Sequence, residues 1–143
     1  MEIKLEAVLE NLERVNDAIE QVLVPAECPM KVLIQVKIAV EEMFVNVCHY
    51  AYEDEIGMIT VAADIVDIAD KETGKLKKGV KVVLTDQGIP YDPLAKEDPD
   101  VTLSLEERPI GGLGIYMVKK SMDEVFYQYE NNSNIFTMIK AFR

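Results

Sequence analysis

The chain has 143 residues, 49% of them apolar and 29% charged, which suits one compact domain with a core and leaves little room for a second. Its 15 basic and 26 acidic residues give a formal charge of −11. That balance argues against direct binding of nucleic acid or an anionic membrane, since both need clustered Lys and Arg.

No apolar run approaches the roughly 20 residues that span a bilayer. The first residues are charged from Glu2 onward and do not read as a secretory leader. Cys28 and Cys48 form no metal-ligand pattern and read as reduced core thiols of a cytoplasmic protein.

Residues 1–7 alternate and suggest a first strand. Residues 6–23 place Val8, Leu9, Leu12, Val15, Ala18, Ile19 and Val22 at helical spacing. Pro25 and Pro29 punctuate the loop that follows. Residues 30–50 read as a second helix, apolar on most sides, which places it in the interior. Residues 58–68 are rich in β-branched side chains and read as a strand. A hairpin turn at 70–75 and a returning strand at 80–85 follow.

Residues 89–110 hold four of the six prolines and much acid, the mark of a long loop rather than an element. A third helix is expected at 113–122. Two closing strands, 124–129 and 135–142, flank Asn131-Asn132-Ser133-Asn134. The fold class is α+β, a two-layer sandwich with about three helices on one face of a mixed sheet.

Three constellations carry chemistry. On the second helix, at about 100° per residue, Gln35, Glu42, Asn46 and His49 fall within roughly 60° of one another. Glu41 projects elsewhere, on the side of Lys37. A carboxylate pinched by apolar neighbours suits a general base, and an Asn carbonyl oxygen is a hard ligand that suits Mg²⁺. The plain alternative is the solvent-facing stripe of an amphipathic helix.

At the end of the 80–85 strand, Asp86-Gln87-Gly88 pairs an ionised acceptor, able to take the exocyclic amine of adenine, with a glycine that permits close backbone approach or positive φ. The plain alternative is a turn. Lastly, Gly111-Gly112-Leu113-Gly114 opens the third helix, where exposed backbone N–H groups and the helix dipole favour phosphate. Its plain alternative is a hinge. The lone His49 has no nucleophile pattern around it and reads as structural or as part of a site rim.

In order and context these motifs resemble the Bergerat-fold ATPase superfamily of DNA gyrase, histidine kinases and mismatch-repair ATPases. Glu42-x-x-x-Asn46 looks like its N box, Asp86-x-Gly88 its G1 box and Gly112-x-Gly114 its G2 box. The nearest likeness is to the single-domain anti-sigma factor serine/threonine kinases. It is carried by the stretch from Ala39 to Asn46, by Ala51-Tyr52, and by Gly111-Gly112-Leu113-Gly114 through Met122-Asp123-Glu124-Val125.

The resemblance implies one histidine-kinase-like ATPase domain over residues 1–143, with an ATP lid at about 89–110. It implies Glu42 as the base that activates an attacking hydroxyl and Asn46 as the Mg²⁺ ligand. Asp86 and Gly88 would serve the adenine, and Gly111, Gly112, Leu113 and Gly114 the phosphates. The implied cofactors are ATP and Mg²⁺. The implied partners are a sigma factor and a small anti-anti-sigma (STAS-type) protein that carries the phosphorylated serine or threonine, with a homodimer as a family expectation.

The chain departs from the family pattern at three places. Tyr50 stands where a His often follows the N-box Asn, with His49 one place earlier. Kinase members often carry Arg directly before the G2 glycines, whereas here the nearest, Arg108, is separated from them by Pro109 and Ile110. Asn134 takes the place of a Thr that often opens the last strand. A rival reading is a nucleotide-gated binding module that captures a partner without phosphorylating it. A histidine-kinase catalytic domain fits poorly, because the sole histidine is on the N-box helix.

Overall fold

The computed structural model describes residues 1–53, 55–95 and 113–143. Most of the expected lid, with Arg108, Gly111 and Gly112, lies outside the described residues. The elements in chain order are β1 (Glu2–Glu6), α1 (Leu12–Leu23), α2 (Met30–Tyr50), β2 (Met58–Ala69), β3 (Leu76–Asp86), α3 (Leu113–Ser121), β4 (Glu124–Glu130) and β5 (Ser133–Ala141). Short 3-10 turns lie at Leu9–Asn11 and Pro93–Ala95.

The strands form one sheet in the order β1-β2-β3-β5-β4, and the helices pack on one of its faces as expected of an α+β sandwich. The expectation of a mixed sheet is corrected: all four pairings are antiparallel. The topology gives the reason. Two helices between β1 and β2 return the chain to the end of the sheet it left. The crossover through α3 joins β3 to β4, which run the same way, but β5 slots between them and pairs antiparallel with both.

Register decides which side chains meet the helices. Val61, Leu84, Phe136 and Tyr127 are aligned across four strands, and so are Ala63, Val82, Met138 and Val125. Against these rows α2 buries Val32, Leu33, Val36, Ala39, Val40, Met43 and Phe44, a three-and-four spacing that makes one continuous face. Its opposite side is open. Met30, Ile34 and Ile38 are 67%, 50% and 53% exposed, so α2 lies across the sheet and is not enclosed as its composition suggested.

The first helix starts later than its periodicity implies, at Leu12 rather than residue 6. A 3-10 turn at Leu9–Asn11 takes up the start of the expected helix, and the suggested first strand lies just before it. Leu5 is buried opposite Ile59, Glu6 pairs with Met58, and the Ala7 amide donates to the Gly57 carbonyl at 2.8 Å. The last hairpin also turns more tightly than expected. Asn131 and Asn132 both adopt positive φ (54° and 59°), the backbone of a two-residue turn matched to strand twist. Ser133 and Asn134 therefore belong to β5, and Asn134 is buried.

The β2–β3 hairpin closes around Asp70. Its carboxylate accepts the Glu72 and Thr73 amides at 2.9 and 3.0 Å and pairs with the Lys77 ammonium at 2.8 Å. Gly74, at φ 70°, returns its amide to the Asp70 carbonyl. The Lys77 hydrogen bond above all, then the two amides, hold the Asp70 carboxyl well below the usual carboxylate range.

A depressed folded-state pKa contributes stability that is present above the unfolded value and lost as pH falls through the folded one. The turn should thus stay anchored as pH drops through about 3.9 and loosen only below it. Amide chemical shifts of Glu72 and Thr73 followed against pH should titrate with a midpoint under that value. A midpoint at or above it would contradict the hydrogen-bonded turn.

Candidate functional site

Asp86 ends β3 directly opposite Asn134, one row beyond Leu84 and Phe136 on the helix-facing side of the sheet. Both are 6% exposed. Asn134 donates from Nδ2 to Asp86 Oδ1 and to the Ile89 carbonyl, each at 2.9 Å. Its Oδ1 accepts the Tyr91 amide at 3.1 Å and the Tyr127 hydroxyl at 2.5 Å. Burial pushes the Tyr127 hydroxyl above its ordinary pKa, so it remains a neutral donor.

Asp86 Oδ1 also accepts the Gly88 amide at 2.9 Å. Both bonds fall on Oδ1. Among the described residues Oδ2 accepts no hydrogen bond, while Asp86 lines a cavity between the sheet end and α2. Leu84, Phe136, Met43 and Val47 supply apolar walls, Asn46 a polar one, and Tyr50, Tyr91 and Tyr127 an aromatic rim. The Tyr50 and Tyr91 rings lie 6.1 Å apart between centroids, tilted by 32°. The cavity measures about 40 Å³, room for a few waters.

The face that α2 turns to the cavity is Met43, Asn46, Val47 and Tyr50, spaced i, i+3, i+4 and i+7. The expected stripe of Gln35, Glu42, Asn46 and His49 is thus only partly on the site. Asn46 is there, and Glu42 sits beside it toward α3. His49 lines a separate groove with Cys48, Glu10 and Ile56. Glu41 is exposed and Glu42 half-buried, the asymmetry that the helix phase implies.

Two glycines hold these parts together. A Cβ on Gly88 would lie 2.2 Å from the Ala51 carbonyl oxygen, and the Ile89 amide donates to that same carbonyl at 2.9 Å. Gly88 therefore lets the loop after β3 press onto the end of α2. Its φ is not positive, so close approach is the reason for glycine here. A Cβ on Gly114 would lie 2.1 Å from Glu42 Oε2, so the first turn of α3 rests on the Glu42 carboxylate. Leu113 opens that helix.

Tyr52 was legible only as part of a motif. Its hydroxyl accepts the Gln87 amide at 3.0 Å and donates to the Met58 carbonyl at 2.7 Å, pinning the loop after β3 to the start of β2. Its ring covers Gly57, where a Cβ would collide at 2.1 Å. Tyr91 and Tyr127 carried no sequence signal, and Tyr50 only that of a departure from the family pattern, because what brings the three together is convergence on one cavity from separate segments.

No cluster of three His, Cys, Asp or Glu side chains able to hold a metal occurs among the described residues. A Mg²⁺ held by one protein oxygen and by phosphates and waters needs no such cluster, and Asn46 fits that role. Asp86 Oδ2 fits an amine donor on a planar base between apolar walls. Among the described residues no helix is long and apolar enough to cross a membrane, and both cysteines are free thiols.

Comparison with known proteins places the chain in a family. The profile of the histidine kinase-like ATPase domain matches residues 5–140. The serine-protein kinase RsbW of Bacillus cereus (strain B4264) is 24% identical over 103 residues, covering 69% of this chain and 58% of the relative. RsbW of Bacillus anthracis (strain A0248) is 23% identical over 103 residues, with the same coverage of 69% and 58%. The match thus spans less than two thirds of the length of these curated relatives. With the family profile matched along nearly its whole length, this chain belongs to the histidine kinase-like ATPase domain family.

Proposed function

We propose that the chain is an ATP- and Mg²⁺-dependent protein serine/threonine kinase that acts as an anti-sigma factor. Its substrate would be a serine or threonine on an anti-anti-sigma (STAS-type) partner, and its alternate partner a sigma factor. The proposal takes residues 1–143 as one ATPase domain with a lid at about 89–110, working in the cytoplasm, with a homodimer as the family expectation. One observation carries it. The Glu42 carboxylate meets the first turn of α3 at Gly114, one helical turn from Asn46, whose neighbours on α2 wall the Asp86 cavity.

In this reading Asp86 Oδ2 accepts the exocyclic amine of adenine, and Met43, Val47, Leu84 and Phe136 exclude water from the base. Gly88 sets the wall beside it. Gly111, Gly112, Leu113 and Gly114 present the start of α3 to the phosphates, whose charge the helix dipole and exposed N–H groups favour. Arg108, a few residues earlier in the chain, would add positive charge for the phosphates. Bound Mg²⁺, held by Asn46, supplies charge neutralisation at the phosphates.

Glu42 takes the proton of the attacking hydroxyl. Its position at the α3 start puts a base next to the phosphate end of the site rather than the base end. Asn134, with all four amide hydrogen-bonding positions taken by protein groups, acts on the nucleotide through Asp86.

A second reading rests on Arg108, which Pro109 and Ile110 separate from the glycines. Without an arginine at the phosphates, the chain would bind nucleotide and a partner but transfer nothing. Incubation with labelled ATP and captured partners separates the two.

Glu42→Gln should bind ATP nearly as the wild type does while its phosphotransfer rate falls about 10²–10⁴-fold, the usual worth of a positioned general base. Glu41→Ala should leave the rate nearly intact. Inactivation by Glu41→Ala with a silent Glu42→Gln would contradict the assignment of the base.

Asp86→Asn, which leaves polar groups mispaired in a buried site, should weaken ATP by roughly 1–3 kcal/mol. Calorimetry showing equal ATP affinity in this variant would contradict the role given to Asp86.

A further inference from the structure

The orientation of the Asn134 amide is not free to follow the ligand. The Tyr91 backbone N–H can only donate, so it fixes the side of Oδ1. The Ile89 carbonyl can only accept, so it fixes the side of Nδ2. With both ends set by backbone, the second Nδ2 hydrogen necessarily points at Asp86 Oδ1. The Gly88 amide is the other donor on that oxygen.

Two donors occupy Oδ1, which leaves Oδ2 as the Asp86 oxygen with acceptor capacity to spare in a residue that lines the cavity. An acceptor there favours a purine with an amino group at C6 and disfavours one with a carbonyl. Asn134 has no hydrogen-bonding capacity left to offer the base itself.

From this geometry we infer that Asn134 is a positioning residue that sets the base selectivity of the site, by locking which Asp86 oxygen faces the ligand and in what role. The inference rests on the nucleotide-binding reading above and deepens it. It also ties selectivity to the 89–91 segment, since the same amide holds Ile89 and Tyr91. A side chain with a single hydroxyl at this place could meet one or two of the four partners but not bridge them all.

The test compares ATP with inosine triphosphate, which differs at C6 by a carbonyl in place of the amine. Affinities of both would be measured by calorimetry with Mg²⁺ for the wild type, Asn134→Asp and Asn134→Ser, after thermal unfolding has shown that the variants fold. Asn134→Asp keeps the size but sets acceptors against Asp86 Oδ1 and the Ile89 carbonyl. Asn134→Ser keeps a donor but cannot span the junction.

The wild type should prefer ATP by about 10-fold or more, as expected when a buried acceptor loses its donor. Both variants should lose most of that preference, mainly through weaker ATP binding, with inosine triphosphate changing by less than about 3-fold. A purely structural role would weaken both nucleotides equally and leave the ratio intact, and that result overturns the inference. Failure of both variants to fold would make Asn134 a stability residue and overturn it as well. A wild type that prefers ATP while the variants keep the ratio leaves the nucleotide reading standing. A wild type that binds neither nucleotide removes that reading and this inference together.

Discussion

The bond from the Asn134 amide to the Asp86 carboxylate is buried at the end of an otherwise apolar row, where Leu84 faces Phe136 one step earlier. Buried polar groups are tolerated when every partner is supplied, and here all four amide positions have one. Through that amide the end of β3, the start of β5, the Tyr127 hydroxyl of β4 and the 89–91 segment become one unit. The cavity wall is therefore made by backbone that cannot shift piecemeal. A one-residue slip between β3 and β5 would turn both side chains to the opposite face and dismantle the site.

The second constraint is contact between α2 and the two glycine motifs. Read from sequence, Gly88 and Gly114 are places where a ligand comes close. In the structure each also lets the protein approach itself, Gly88 at the Ala51 carbonyl and Gly114 at the Glu42 carboxylate. The loop after β3 and the start of α3 are thus both set against α2, one at its C-terminal cap Ala51 and the other at Glu42 in its middle. Tyr52 adds a third tie, holding Gln87 to the start of β2. Side chains on a helix are placed more precisely when packing rather than loop conformation sets the helix's distance from its neighbours.

Much of this was legible from local pattern. The bounds of α2, the hairpin around Asp70 and the strand that delivers Asp86 follow from periodicity and turn chemistry, which are properties of neighbouring residues. What was not legible depends on pairing. Val8 and Leu9 share the helical spacing of α1, but a 3-10 turn at Leu9–Asn11 precedes the helix, which starts at Leu12. The parallel relation of β3 and β4 is hidden by β5, so no mixed sheet forms. Asn134 sits in a run of turn formers, yet the turn needs only Asn131 and Asn132. Tyr50 replaces an expected histidine and was read as a departure. It is a wall of the cavity, while His49, counted in the polar stripe, faces another groove.

In the proposed function Asp86 reads an adenine amine through the oxygen that the Asn134 junction leaves open. A crystal structure with a non-hydrolysable ATP analogue and Mg²⁺ tests it most directly. The exocyclic amine should lie within hydrogen-bond distance of Asp86 Oδ2, with the four Asn134 bonds unchanged, Tyr50 and Tyr91 moved apart, and the cation on the Asn46 side-chain oxygen. A base bound outside this cavity, or an Asp86 carboxylate turned away from it while Asn134 contacts the purine directly, would contradict it.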